Sequence, residues 1–181
     1  MACYLRIILV LNLMAAFGAQ LLQAAGPSDF SGTWTLDLKA PEATSMAAIL
    51  EAQGASLLER KAADSLSITQ MITQSEQTLT ITTRAAIGGR TRVLYLDGRT
   101  QIQDSERTGK VASRSFWDQN GAVLVTVSMS ASPEGQKQGG KKGEYTTRRY
   151  LQDAGRTLIV EHILTLEDGR KLTAKRVLRK Q

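Results

Sequence analysis

From Leu66 to the C-terminus, apolar residues alternate with polar ones, and short turn sequences interrupt the alternation. Clear examples are residues 145–151, 158–166 and 172–178. A period of two is the pattern of a β-strand with one buried face. The interruptions at 88–89, 97–98, 120–121, 153–155 and 168–169 contain glycine, which tolerates the positive φ of tight hairpins. The chain is therefore predicted to run through successive antiparallel hairpins.

One strand and one helical passage precede this region. In DFSGTWTLDL, residues 29–38, Phe30, Trp34 and Leu36 share one parity, which predicts a strand with one apolar face. Residues 40–64 then change to helical spacing, and Gly54 can divide this passage into two short helices. Its apolar residues fall on one stripe: Met46, Ile49, Leu50, Leu57 and Leu58. We interpret the passage as an amphipathic cover.

These elements predict an all-β fold. The expected architecture is an antiparallel up-and-down β-barrel of about ten strands, with a helical cover after the first strand. Closure is favoured because it removes the unpaired edges of a sheet. At this size a barrel interior begins to hold a ligand as well as side chains. The alternative is a flat sandwich with a filled core.

The N-terminus reads as an export signal. An apolar run of about 13 residues follows Arg6, which is too short for a bilayer that needs roughly 20, and small residues follow at 24–26. We expect a signal peptide at residues 1–25, a single domain at 26–181, and no stable membrane span after cleavage; an N-terminal anchor is the alternative. The only cysteine, Cys3, lies in the leader. A periplasmic or secreted location is expected.

The net charge of +6 does not predict a nucleic-acid binder, because no basic patch with interleaved stacking aromatics is present. Three lysines cluster in one glycine-rich segment: Lys137, Lys141 and Lys142. This cluster motivates an alternative function, an extracytoplasmic protein-interaction module without a small-molecule ligand, whose protein partner is unknown.

The segment FSGTWTL, residues 30–36, resembles the Gly-x-Trp opening of the calycin superfamily of lipocalins and fatty-acid-binding proteins. The C-terminal half, from residue 116 onward, is similar to small secreted bacterial lipocalin-like proteins. The resemblance implies an exported barrel that binds a small hydrophobic or anionic amphipathic ligand in its interior. Fatty-acid-binding proteins hold a carboxylate with Arg-x-Tyr on the last strand. Here Arg176 matches the arginine, whereas Leu178 stands at the tyrosine position.

Arginine and tyrosine pairs on the later strands are the candidate ligand-binding residues. Arg176 shares the parity of its apolar neighbours, so a protein carboxylate or a ligand anion must pair with it if it is buried. On the strand at 145–151, Arg148 and Tyr150 lie on one face, and Arg149 and Tyr145 lie on the other. We favour Arg148 and Tyr150 as the inward pair.

His162, the single histidine, completes the candidate set. It shares the parity of apolar neighbours, which predicts a neutral, hydrogen-bonded histidine in the core or at a cavity. A structural zinc site needs four ligands, and no Gly-x-Ser-x-Gly elbow is present for a serine nucleophile. We therefore predict no metal, no cofactor and a binding protein that is not an enzyme; the alternative is a hydrolase or isomerase whose activity depends on His162. Trp34 and Trp117 are interpreted as packing residues at a barrel end.

Overall fold

Ten antiparallel strands form one curved sheet in the computed structural model, which describes residues 27–86, 88–105, 109–129 and 140–181. The strands are β1 (Gly32–Leu36), β2 (Ile68–Gln74), β3 (Thr78–Ala85), β4 (Gly88–Tyr95), β5 (Asp97–Ser105), β6 (Gly109–Trp117), β7 (Leu124–Met129), β8 (Gly143–Gln152), β9 (Thr157–Leu166) and β10 (Lys171–Lys180). The predicted signal peptide and Lys137 lie outside the described residues. No helix in the described ranges is long and apolar enough to cross a membrane.

The sheet curves into a nearly closed barrel, which confirms the predicted fold. The first strand pairs with the last, with Trp34 opposite Lys180, so the strand order is β4-β3-β2-β1-β10-β9-β8-β7-β6-β5. The hairpin predicted at 97–98 is wrong, because β4 and β5 are the two ends of this order and share no ladder. The side-chain amide of Gln101 on β5 makes two hydrogen bonds to the backbone of β4 in place of ladder hydrogen bonds. Its Oε1 accepts from the Tyr95 N–H (3.0 Å), and its Nε2 donates to the Val93 carbonyl (2.9 Å).

One end of the barrel interior is solid. Trp34 and Phe30 are fully buried, the Trp34 indole donates to the Phe30 carbonyl (2.8 Å), and Trp117 stacks on Phe30 with ring centroids 5.5 Å apart. Aliphatic residues of seven strands pack around them: Leu36, Ile72, Leu79, Ile81, Leu94, Leu124, Leu158, Val160 and Leu178. Truncating such a buried aromatic typically costs about 3–5 kcal/mol. Both tryptophans are therefore packing residues, as predicted, and any ligand space lies toward the other end.

Two short helices cover that other end, α1 (Ala47–Ala52) and α2 (Leu57–Ala63). Gly54, with a φ of +82°, separates them as predicted. Ile49 of α1 is fully buried against a cluster that includes Leu164 and Ala174. The prediction that Leu57 and Leu58 continue the apolar stripe is wrong, because both are more than half exposed and α2 buries no residue. The chain redirects at Gly54, so the helical phase of α1 does not carry into α2.

The inner wall formed by β6, β7 and β8 is largely polar. The alternating valines of residues 123–129 are on the outward parity, and Leu124 and Thr126 point inward. Thr126 Oγ1 and Ser115 Oγ are 2.9 Å apart and both are buried. Thr147 of β8 is buried on the same wall. Polar groups in a barrel interior need partners, so this wall is suited to face polar ligand atoms or water.

Candidate functional site

A cavity of about 240 Å³ lies between the helices and the barrel interior. Its apolar lining comes from both helices and from β1, β2, β9 and β10: Leu36, Met46, Leu50, Ala63, Ile68, Val160 and Leu178. Its polar lining consists of four side chains, Gln70, Arg149, His162 and Arg176. The strand register places Arg149 of β8 and Arg176 of β10 opposite the same residue, Val160 of β9. Because adjacent strands are about 4.8 Å apart, the two arginine positions are roughly 10 Å apart across the wall.

Arg149 is the most deeply buried charge of this site. Its side chain is 7% exposed, and its Nη1 atom is buried without a hydrogen-bond partner. Burial, and then the positive charge of Arg92, lower the pKa of Arg149 to about 10, so the guanidinium stays charged at neutral pH. Within the described ranges no carboxylate lies within salt-bridge distance of it. A buried guanidinium in this state is a strong site for an anion.

The prediction that Arg148 and Tyr150 point inward is wrong. The Arg148 side chain is 44% exposed and lies 3.9 Å from Glu161. The Tyr150 hydroxyl donates to Glu161 Oε1 (2.8 Å), and its ring packs on the outer surface with Ile159 and Val177. The register sets Arg148 opposite Glu161, so the outer face supplies a counter-charge. Because Arg148 pairs with Glu161 on the outer face and successive strand residues point to opposite faces, Arg149 points into the cavity.

Arg176 lines the cavity, as its parity predicts. Its Nη2 donates to the Ala63 carbonyl at the end of α2 (2.9 Å), and its Nη1 is 3.8 Å from Asp64 Oδ1. Asp64 also accepts from the Met46 N–H (3.1 Å) and from the Ser45 hydroxyl. Burial lowers the pKa of Arg176, and the nearby Asp64 charge opposes that effect. Of the two partners that the sequence left open, the structure provides the protein carboxylate, and it adds the carbonyl of Ala63 at the end of α2.

His162 lies at the cavity and is hydrogen-bonded, as predicted. Its Nδ1 is 2.6 Å from the Tyr145 hydroxyl, and the two rings stack with centroids 5.9 Å apart. Burial, followed by the charges of three arginines, lowers the pKa of His162 to about 3. Burial raises the pKa of Tyr145 to about 12. Both groups are therefore neutral at physiological pH and form a polar, uncharged part of the site.

Arg92 is a site residue that the sequence analysis did not identify. It belongs to the inner face of β4, next to fully buried Leu94 in alternation, and it lines a second cavity of about 360 Å³ at the gap between β4 and β5. Burial, and then the charge of Arg90, lower its pKa. Arg92 also interacts electrostatically with Tyr145, Arg149 and His162. In the sequence, Val93 and Tyr95 form the apolar face of this strand by alternation, which leaves Arg92 on the outer face. In the structure Val93 and Tyr95 are exposed, so Arg92 has the inward parity.

Gln70 of β2 was also not singled out, although its parity with Ile68 and Ile72 could have located it. The cavity between the helices and the barrel interior combines two guanidinium groups, those of Arg149 and Arg176, with the neutral groups of Gln70 and His162. The described residues contain no group of three side chains suited to hold a metal ion. This arrangement can bind an anionic group and an adjoining apolar group.

Comparisons with known proteins place the fold. No family model matches the chain, and no curated protein matches it. Among solved structures it is similar to human cRBP IV, with 21% identity over 86% of this chain and 100% of that one and a TM-score of 0.63. It is also similar to Caenorhabditis elegans lipid binding protein 8 (15% identity, 84% and 95% of the two chains, TM-score 0.63). A third similar structure is a Schistosoma mansoni fatty acid binding protein in complex with arachidonic acid (17% identity, 84% and 96%, TM-score 0.62). The chain thus shares the β-barrel fold of these structures.

Proposed function

We propose that this protein binds a small amphipathic anion inside the barrel, with the anionic group at Arg149 and the apolar part against the cover. One observation carries the proposal: Arg149 Nη1 is buried at the cavity without a hydrogen-bond partner. An uncompensated buried charge costs several kcal/mol, and a bound anion would remove that cost. Met46, Leu50 and Ile68 provide the apolar contact surface.

Similar barrels support a ligand of this class. One of them is named a lipid binding protein, and another holds arachidonic acid. In this proposal Arg176 and His162 contribute to the same pocket, whereas Arg148 and Tyr150 do not. Arg176 orients the end of α2 beside the ligand through Ala63.

The proposal is binding without chemical transformation. A general base works best when its pKa is near the working pH, and the pKa of His162 is about 3. The pKa of Tyr145, about 12, is equally far from neutrality on the other side. We further propose that the protein acts in the periplasm or outside the cell, on the basis of the leader pattern at residues 1–25. N-terminal sequencing of protein from fractionated host cells tests that location.

The binding test compares two adjacent arginines. Arg149→Gln removes the inward charge, and Arg148→Gln removes an outward charge from the next residue of the same strand. Isothermal titration with octanoate should show binding to the wild-type protein and to Arg148→Gln. Arg149→Gln should lose at least about 30-fold in affinity, because losing one member of a buried charge pair costs about 2–5 kcal/mol. Equal affinities for the two variants, both folded by circular dichroism, would refute the assignment of Arg149.

A further inference from the structure

We infer that the ligand carries a hydroxyl group remote from its anionic group, as an ω-hydroxylated carboxylic acid does, and that Gln70 of β2 binds this hydroxyl. This inference rests on the proposed function and names the ligand class more closely. It follows from a second buried polar atom at the cavity that Arg149 lines, and from the separation of the two residues along the sheet.

Gln70 brings a hydrogen-bond acceptor to the cavity. Its Oε1 atom is buried and has no hydrogen-bond partner among the described residues. The other polar residues of the lining are Arg149, Arg176 and His162. The two arginines carry only donors, and Arg176 already donates to the Ala63 carbonyl (2.9 Å). A buried carbonyl oxygen without a donor destabilises the folded protein, so a ligand that supplies a donor at Gln70 is favoured.

Gln70 and Arg149 line the same cavity but do not satisfy each other. The acceptor Gln70 Oε1 and the donor Arg149 Nη1 are each buried without a hydrogen-bond partner in the described ranges. One ligand that reaches both residues can satisfy both atoms, with its anionic group at Arg149 and a donor at Gln70. A hydroxyl suits this place because it is uncharged, whereas an ammonium group would be repelled by the guanidinium groups of the same cavity.

The topology separates the two polar groups of the ligand. Gln70 lies on β2 and Arg149 on β8, which are four steps apart in the strand order β2-β1-β10-β9-β8. At about 4.8 Å per step, the two wall positions are roughly 19 Å apart along the curved sheet, and both side chains extend inward from it. The lining on the strands between them is apolar at Leu36, Val160 and Leu178. A hydroxyl beside the carboxylate would therefore not reach Gln70, whereas one at the far end of a short alkyl chain would.

The test compares three acids of equal chain length by isothermal titration of the full 181-residue chain. In 8-hydroxyoctanoate the hydroxyl is at the end remote from the carboxylate, in 2-hydroxyoctanoate it is beside the carboxylate, and octanoate has none. The wild-type protein should bind 8-hydroxyoctanoate about tenfold more tightly than octanoate, because the hydroxyl satisfies a buried acceptor. The affinity for 2-hydroxyoctanoate should stay within about threefold of that for octanoate.

Two variants of β2 assign this preference to one residue. Gln70→Leu replaces the amide by an apolar side chain, so the ratio of the affinities for 8-hydroxyoctanoate and octanoate should fall to about one. Thr73→Val is the matched control, because Thr73 is exposed on the same strand with the opposite parity, and this variant should keep the preference. Urea denaturation checks folding. The midpoint of Gln70→Leu should be unchanged or higher, because the variant lacks the buried, unpartnered oxygen.

The outcomes separate the inference from the proposed function. If 8-hydroxyoctanoate gains no affinity over octanoate, or gains no more than 2-hydroxyoctanoate does, the remote hydroxyl is wrong and anion binding stands. A preference that persists in Gln70→Leu would overturn the assignment of Gln70 as the acceptor. Absence of binding to all three acids would overturn both the inference and the proposed function. Because the first comparison uses the wild-type chain, it decides the inference even if Gln70→Leu does not fold.

Discussion

Replacing Arg176 by methionine tests how the cover is held on the barrel. In the wild-type protein this guanidinium donates to the Ala63 carbonyl (2.9 Å) and lies 3.8 Å from Asp64. In Arg176→Met the new side chain has a similar length and an apolar stem like that of arginine, but it lacks the charge and the hydrogen-bond donors of the guanidinium. The last carbonyl groups of α2 and the Asp64 carboxylate then lose their link to β10.

The size of the effect follows from these contacts. A hydrogen bond from a charged donor contributes about 1.5–3 kcal/mol to stability. The contact with Asp64 adds less than about 1 kcal/mol, because the Asp64 side chain is 35% exposed and keeps its bonds to Met46 and Ser45. Removing a desolvated guanidinium, whose side chain is only 12% exposed, offsets part of the loss. We expect Arg176→Met to lower the free energy of unfolding by about 1–3 kcal/mol.

Arg149→Met provides the opposite case. Its guanidinium has a buried, unpartnered Nη1 atom, so replacement by methionine should leave the free energy of unfolding unchanged or raise it. Urea denaturation gives stability, and octanoate titration gives affinity. We expect Arg176→Met to be less stable with affinity reduced less than tenfold, and Arg149→Met to be stable with binding lost. If both variants are stable and both lose binding, the assignment of Arg176 to the cover is wrong.

Three further predictions concern pH, dynamics and ligand length. Because the folded protein holds the pKa of His162 near 3, below the ordinary 6.5, His162 adds stability that is complete above pH 6.5 and is lost as the pH falls. Between pH 6.5 and 5 the free energy of unfolding should fall by up to about 1.4 kcal/mol per pH unit, and urea titration of His162→Gln should show a flatter slope. By hydrogen exchange, α2, which buries no residue, should exchange faster than α1 and slow when octanoate is added; equal rates in both helices would contradict this. The cavity of about 240 Å³ is smaller than typical ligand pockets of about 300–1,000 Å³, so calorimetry should show the gain of about 0.8 kcal/mol per methylene ending between octanoate and palmitate; a constant gain would mean that the solid end opens.

Several features of the site could be predicted because they depend on short stretches of chain. The parity of Arg176 and His162 placed both residues on the inner face, where the structure has them at the cavity. The break at Gly54 was predicted because glycine readily takes the positive φ found there. The packing role of Trp34 followed from its place on the apolar face of β1. Each of these inferences needs only the local period of the pattern.

Alternation predicts the wrong inward face where the barrel interior is polar. The rule assigns apolar residues to the inside, but the inner wall of β6 to β8 carries Ser115, Thr126, Thr147 and Arg149. On β7 the valines therefore occupy the outer face. On β8 the same reversal made Arg148 the predicted inward residue, whereas the structure places Arg149 inside and Arg148 outside. The polar wall is the part of the barrel next to the candidate site, which is why the errors lie there.

The sequence by itself determined the order of the elements, the position of the helical cover and the hairpin connections other than the one at 97–98, because turn chemistry and side-chain periodicity are local properties. Only the tertiary structure decided which arginines are neutralised. Glu161 reaches Arg148 across the β8–β9 pairing, and Asp64 reaches Arg176 from the end of α2. Arg149 is left with a buried, unpartnered Nη1 atom. Counter-charges come from segments that are distant in the chain, so the unbalanced site exists only once the barrel has closed.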